Sequence, residues 1–120
     1  MKAPHLQTGE NAENQACEFL QAQGLTLITR NFRCPHGEID LIMQDGKTRV
    51  IVEVRYRKNA KFGNALESVT KTKQNKLIAT TQIYLESLQT QELLPIRFDV
   101  IGILGNGQLE WVKNAFEVLT

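Results

Sequence analysis

The chain has 120 residues, of which 42% are hydrophobic and 22% are charged, and its formal net charge is +1. This length suits one domain that buries its own core, and the composition excludes a disordered or fibrous chain. No apolar run approaches the roughly 18 residues of a membrane-spanning segment, and the first residues lack the apolar centre of an export signal. We therefore expect a cytoplasmic protein with no membrane partner. Its two cysteines, Cys17 and Cys34, are expected to be free thiols.

The hydrophobic pattern predicts a single α/β domain spanning residues 1–120, with residues 1–8 as a loose leader. Its elements are expected at residues 9–24 (helix), 25–33, 38–44 and 48–57 (strands), 69–88 (helix), 96–104 (strand) and 109–112 (short strand). Short turns make the first three strands antiparallel, and Asp45-Gly46 is typical of a tight hairpin. The second helix allows the next strand to lie parallel to the third. The result is a mixed sheet flanked by helices.

Two acidic residues lie on strands that the hairpin makes neighbours. In the third strand, Val50 and Val52 define the expected core face, yet Glu53 sits between two valines of a strand that should be central. A carboxylate there costs free energy unless it is paired or binds a metal. Because Asp40 and Glu53 can converge, a divalent cation would relieve their repulsion. Hard oxygen ligands favour Mg²⁺ or Mn²⁺.

Glu13 is a third candidate ligand, because it shares a helical stripe with apolar residues that should face the sheet. The alternative for Glu13 is an acid in the first turn that the helix dipole favours. Asp40 likewise has an alternative, a structural ion pair with Arg55 or Arg57. Glu38 is expected to be solvated.

Basic residues concentrate between positions 55 and 76. These 22 residues carry seven positive charges and one negative charge, net +6, in an almost neutral chain. A basic patch beside an acidic metal site suits a phosphodiester backbone, and we expect Arg57, Lys58, Lys61 and Lys76 to hold nucleic acid. The alternative is a solvated loop, because lysine is usually exposed.

Five segments together resemble the YraN family of uncharacterised bacterial proteins. They are Gly9-Glu10-Asn11-Ala12-Glu13, Gly37-Glu38-Ile39-Asp40-Leu41-Ile42, Val52-Glu53-Val54-Arg55, Lys73-Gln74 and Arg97-Phe98-Asp99-Val100. The family is similar to archaeal Holliday junction resolvases of the restriction-endonuclease-like group, whose signature is D…(D/E)-x-K. The resemblance runs from about residue 9 to about residue 103.

The resemblance implies a restriction-endonuclease-like core in α-β-β-β-α-β order, in which Asp40 and Glu53 hold the metal and Glu13 assists. It implies a Mg- or Mn-dependent endonuclease acting on DNA, including branched DNA such as Holliday junctions. A homodimer would match the symmetric strands of a four-way junction, although the sequence identifies no dimer surface.

The chain departs from the wider signature at Arg55, where the signature has lysine. Arginine stays protonated and cannot act as a general base, but it can stabilise charge on a pentavalent phosphate. Lys73 is expected to supply an ammonium group from the second helix. The alternative is that Lys73 only borders the apolar core and has no role in the site.

Two other classes of function stay open. The first is a non-catalytic nucleic-acid-binding or adaptor module that keeps the nuclease fold, which Arg55 favours. The second is a structural partner whose basic patch meets an acidic protein surface. A rise in melting temperature with Mn²⁺ would indicate a real metal site, and salt-sensitive retention on DNA would argue against the second class.

Overall fold

The computed structural model describes residues 9–59, 61–90 and 93–117, with side chains from residue 11 onward. The leader expected at residues 1–8 lies outside the described residues. In chain order the elements are α1 (Gly9–Ala22), β1 (Thr26–Cys34), β2 (Gly37–Asp45), β3 (Thr48–Arg57), a short 3₁₀ helix (Leu66–Ser68), α2 (Lys71–Ser87), β4 (Ile96–Leu104) and β5 (Leu109–Phe116). Neither α1 nor α2 combines the length and the apolar character needed to cross a bilayer.

The five strands form one sheet in the order β1-β2-β3-β4-β5. β3 and β4 run parallel, whereas the other neighbouring strands are antiparallel. The predicted α/β class, with a mixed sheet flanked by helices, is confirmed.

Three predicted bounds differ from the structure by two residues or more: the end of α1, the start of α2 and the end of β5. α1 ends at Ala22 rather than at residue 24, because Gly24 takes a positive φ of 97° and its N–H donates to the carbonyl of Gln21. β5 continues beyond residue 112 to Phe116, whose ring stacks on Phe98 with centroids 4.9 Å apart.

Both faces of the central strand are buried, although the sequence predicted only its valine face as core. Val50 and Val52 pack with α1 residues in one cluster, whereas Ile51 packs with Leu77 of α2 in another. Helices on both sides exclude water from both faces. Glu53 is therefore only 2% exposed.

The side-chain alternation of β2 slips at Asp40. Ile39 packs in the α2-side cluster and Leu41 in the α1-side cluster, although residues two apart in a regular strand share a face. The β1 residue opposite this point is Asn31, which has a positive φ of 54°. The irregularity falls at the residue predicted to carry chemistry.

Candidate functional site

Asp40 lies where the pairing of β2 with β3 ends. The ladder runs from the hairpin turn to the pair Leu41 and Val52. Beyond that pair, the backbone N–H of Val54 donates to Oδ2 of Asp40 at 2.8 Å. A side-chain carboxylate thus accepts a backbone hydrogen bond at the end of the ladder, which fixes Asp40 against β3 next to Glu53.

The carboxyl group of Asp40 is destabilised in its charged form. Burial, followed by the negative charge of Glu53, raises the pKa of Asp40 to about 7, against the opposing effect of the hydrogen bond from Val54. Glu53 directly precedes Val54, whose N–H bonds to Asp40, so the two acidic residues are neighbours across the end of the ladder. Such a shift is typical of paired carboxylates in functional sites, although structural networks produce it too.

Glu53 has a cationic partner on the second helix. Nζ of Lys73 lies 3.3 Å from Oε2 of Glu53, and the lysine side chain remains 46% exposed. Thr70 caps α2 and accepts a hydrogen bond from the backbone N–H of Lys73, which places this lysine in the first helical turn. The helix therefore begins at Lys71, two residues later than predicted, and presents Lys73 to β3.

A second group of carboxylates adjoins Asp40. Glu13, Glu38 and Asp40 each place one ligand oxygen within 4.8 Å of the others. Burial first, and then the charge of Asp40, raises the pKa of Glu13, while Arg30 at 3.7 Å opposes the rise. The three oxygens could serve one small cation.

Glu38 was expected to be solvated and had no predicted site role, and its side chain is 38% exposed. It belongs to this carboxylate group and forms an ion pair with Arg33 at 3.0 Å. In the amide orientation that satisfies its hydrogen bonds, Asn31 donates to Oε1 of both Glu38 and Glu13 at 3.1 Å. The spacing of Glu38 and Asp40 on one strand was an available signal, whereas nothing in the sequence indicates the contacts of Asn31.

The two arginines at the end of β3 contact the connection to α2 rather than Asp40. Nε of Arg55 donates to Oγ of Ser68 at 3.3 Å, and a terminal nitrogen of Arg57 donates to the carbonyl of Asn64 at 2.8 Å. Within the described residues, the ion pairs of Asp40 with Arg55 or Arg57 do not form. The alternative that explained Asp40 by such pairs was therefore wrong.

The lysines predicted to bind nucleic acid lie on the surface. Lys58, Lys61 and Lys76 are exposed, whereas Arg57 is half-buried. The β-carbon of Lys76 lies 3.8 Å from the place where a side chain on Gly37 would begin, so this lysine borders the start of β2.

Asp99 of the Arg-Phe-Asp-Val segment belongs to a structural network. Its fully buried carboxylate accepts hydrogen bonds from Arg97, from the indole of Trp111 and from the backbone N–H of Asn114. Arg97 also pairs with Asp45 at 2.8 Å. These contacts attach β5 and the last residue of β2 to β4. They account for the buried charge of Asp99 without a catalytic role.

Together, the fold and the site define an α/β protein with an acidic centre at the end of its central strand pairing and basic side chains around it. Residues 12–103 match the family described as Uncharacterised protein family UPF0102. The chain is 47% identical over 119 residues to a UPF0102 protein of Nitrosococcus oceani, which covers 97% of this chain and 96% of the relative. It is 53% identical over 109 residues to one of Nitrosomonas eutropha, with 91% and 92% covered. The chain belongs to the UPF0102 (YraN) family.

Proposed function

We propose that this protein is a metal-dependent endonuclease that acts on DNA, including branched DNA such as Holliday junctions. The observation that carries the proposal is the adjacency of Asp40 and Glu53, with Lys73 3.3 Å from Glu53. One buried carboxyl group, one half-buried carboxyl group and an accessible ammonium at one point match the needs of metal-assisted phosphodiester hydrolysis. The basic stretch beside them supplies the charge that a DNA backbone requires.

The donor atoms fit a hard divalent cation. Asp40, Glu13 and Glu38 offer only carboxylate oxygens, within 4.8 Å of one another, and such ligands suit Mg²⁺ or Mn²⁺. Burial, followed by the negative charge of Glu53, raises the pKa of Asp40, and a cation bound beside Asp40 would oppose both effects. Asp40 belongs both to this group of carboxylates and to the pair with Glu53, so we assign Asp40 and Glu53 as ligands of the ion, with Glu13 assisting. An ion held by these residues would supply a bound water of lowered pKa and would polarise the scissile phosphate.

The side chains around this centre have separate roles in the proposed reaction. Arg55 stays protonated and neutralises negative charge that develops on the phosphate. Lys73 orients Glu53 and, being half-exposed, also offers its ammonium to a phosphate oxygen. Arg57, Lys58, Lys61 and Lys76 hold the DNA backbone through contacts that carry no sequence information.

The test is cleavage of matched duplex, single-stranded and four-way-junction DNA by the purified protein with Mg²⁺, Mn²⁺ or a chelator. We expect metal-dependent cleavage that Asp40→Asn and Glu53→Gln abolish. Glu18→Gln is the matched control, because Glu18 is an exposed acid on α1 and should not affect cleavage. Absence of cleavage of all three substrates with both metals would refute the enzymatic proposal.

A second candidate is a non-catalytic DNA-binding module that keeps this fold. It is favoured by Arg55, which replaces the lysine of the nuclease signature and whose Nε is engaged with Ser68. In that case the protein should bind DNA in a salt-sensitive manner but leave it intact with either metal.

A further inference from the structure

Phe62 is an aromatic side chain exposed in the middle of a basic loop. The loop follows β3 and is described at residues 58, 59 and 61–64; these residues include Lys58 and Lys61 and no acidic residue. The phenyl side chain is 57% exposed. Single exposed apolar residues are common on protein surfaces, but Phe62 is distinguished by the way its loop is held and by the residues around it.

Both ends of the loop are packed directly against the β4 region. The carbonyl oxygen of Lys58 lies 2.6 Å from where a β-carbon on Gly105 would stand, and the β-carbon of Ala65 lies 2.6 Å from the equivalent point on Gly102. Only glycine permits such close approaches. The backbone N–H of Gly63 also donates to Oε2 of Glu110 on β5 at 2.7 Å. Phe62 is therefore adjacent to Gly63, whose backbone is held in place by this hydrogen bond.

The loop also connects the two elements of the proposed active site. It leaves β3 shortly after Glu53 and leads to α2, whose Lys73 contacts Glu53. An exposed ring that directly follows Lys61, with Lys58 four residues before it, is the combination by which proteins bind unpaired nucleotides: the bases stack on the ring and the cations meet the phosphates.

We propose that Phe62 stacks on an unpaired base, so that the substrate of this protein is DNA with unstacked nucleotides next to a duplex. The inference rests on the proposed function and specifies its substrate. In continuous duplex each base is already stacked between its neighbours, so Phe62 gains no free base face. The lysines contact phosphates both in continuous duplex and in DNA with unstacked nucleotides. Phe62 alone distinguishes these two forms of DNA.

The test compares binding of two fluorescent DNAs, each containing one 2-aminopurine, in the presence of a chelator. One DNA has the probe in a short single-stranded gap, and the other has the same sequence as continuous duplex. We expect Phe62→Ala to weaken binding to gapped DNA about tenfold, within the range measured for one stacked base, and to leave duplex binding unchanged. Phe62→Trp should retain affinity and quench the probe, whereas Phe62→Leu should behave as the alanine variant.

Ile28→Ala is the matched control, because Ile28 is an exposed apolar residue on β1. Its binding should equal that of the wild-type protein. Equal losses for gapped and duplex DNA, or full rescue by leucine, would overturn the stacking role. Wild-type protein that cleaves DNA with Mn²⁺, but whose Phe62→Ala variant binds both DNAs normally, would refute the inference and leave the proposed function standing. Wild-type protein that neither binds nor cleaves DNA would refute both.

Discussion

The ammonium group of Lys73 lies 3.3 Å from the carboxylate of Glu53, and the two side chains differ sharply in exposure, at 46% and 2%. The pair joins the first turn of α2 to the central strand of the sheet. The burial of the Glu53 carboxylate depends on the ammonium group of Lys73, because a buried carboxylate without a partner costs free energy.

Replacement of Lys73 by methionine should destabilise the metal-free protein. The change leaves Glu53 buried without its cation, and we expect a loss of about 1–3 kcal/mol, since the exposed ammonium is partly screened by water. Urea denaturation in the presence of a chelator measures it. Lys71→Met is the control, because Lys71 is an exposed lysine in the same helical turn and should cost little. Equal stabilities of the two variants would show that the pair contributes nothing.

Asp40→Asn and Glu53→Gln should stabilise the metal-free protein at pH 8 and remove its response to Mn²⁺. Each change removes one of two neighbouring negative charges and keeps an oxygen that accepts hydrogen bonds. We expect the melting temperature without metal to rise by about 4 °C or more, the shift that corresponds to 1 kcal/mol in a domain near this size. Mn²⁺ should then raise it no further.

Asp45→Asn is the control for this pair of variants. Asp45 bonds to Arg97 at 2.8 Å, away from the proposed ligands, so its amide should lower stability and preserve the Mn²⁺ response. If Asp40→Asn instead destabilises the protein and leaves the Mn²⁺ response intact, Asp40 is structural and holds no metal.

The stability of the metal-free protein should fall as the pH rises from about 4 to about 7. The pKa of Asp40 in the folded protein is about 7, above its ordinary value of 3.8, so the folded state retains a proton that the unfolded state releases. The stabilisation is complete below the unfolded pKa and is lost as the pH rises through the folded pKa. The expected change is roughly 2–4 kcal/mol.

Urea denaturation of wild-type protein and Asp40→Asn across this pH range isolates the effect. The difference between the two free energies of unfolding should change with pH, because all other groups titrate in both proteins. A difference that stays constant between pH 4 and 8 would contradict the raised pKa of Asp40.

Removal of exposed lysines should weaken DNA binding without regard to sequence. We expect Lys58→Ala, Lys61→Ala and Lys76→Ala each to reduce the slope of log affinity against log salt by about 0.9, the value for one phosphate contact with duplex DNA. Lys47→Ala is the control, because Lys47 is an exposed lysine in the β2–β3 turn, at the other end of β2 from Asp40. An unchanged slope in the triple variant would show that DNA binds to a different surface of the protein.

Arg55 should act through its charge rather than as a base. Arg55→Lys keeps the charge, and we expect it to retain cleavage within about tenfold. Arg55→Gln removes the charge and should lower the rate about 10²-fold or more, as for loss of one electrostatic stabiliser of the transition state. Single-turnover cleavage with Mn²⁺ measures both variants. Equal rates for lysine and glutamine would exclude a role for charge at this position.

The sequence by itself determined the approach of Asp40 to Glu53. The tight turn pairs Asp45 with Thr48, and counting back along both strands from that pair brings Leu41 opposite Val52. The next positions are Asp40 and Glu53. This follows from local turn geometry, because the turn fixes the register of a hairpin.

Only the tertiary structure decided which charges meet across different elements. Lys73 contacts Glu53 because α2 packs on the Ile51 face of the sheet, and the sequence predicted that face as less buried than the valine face. Arg55 bonds to Ser68 of the connection to α2, not to Asp40. Glu38 joins Glu13 through the packing of α1 near the slip in β2. Such contacts depend on the packing of helices against the sheet and on an irregular strand residue, which no periodicity along the chain encodes.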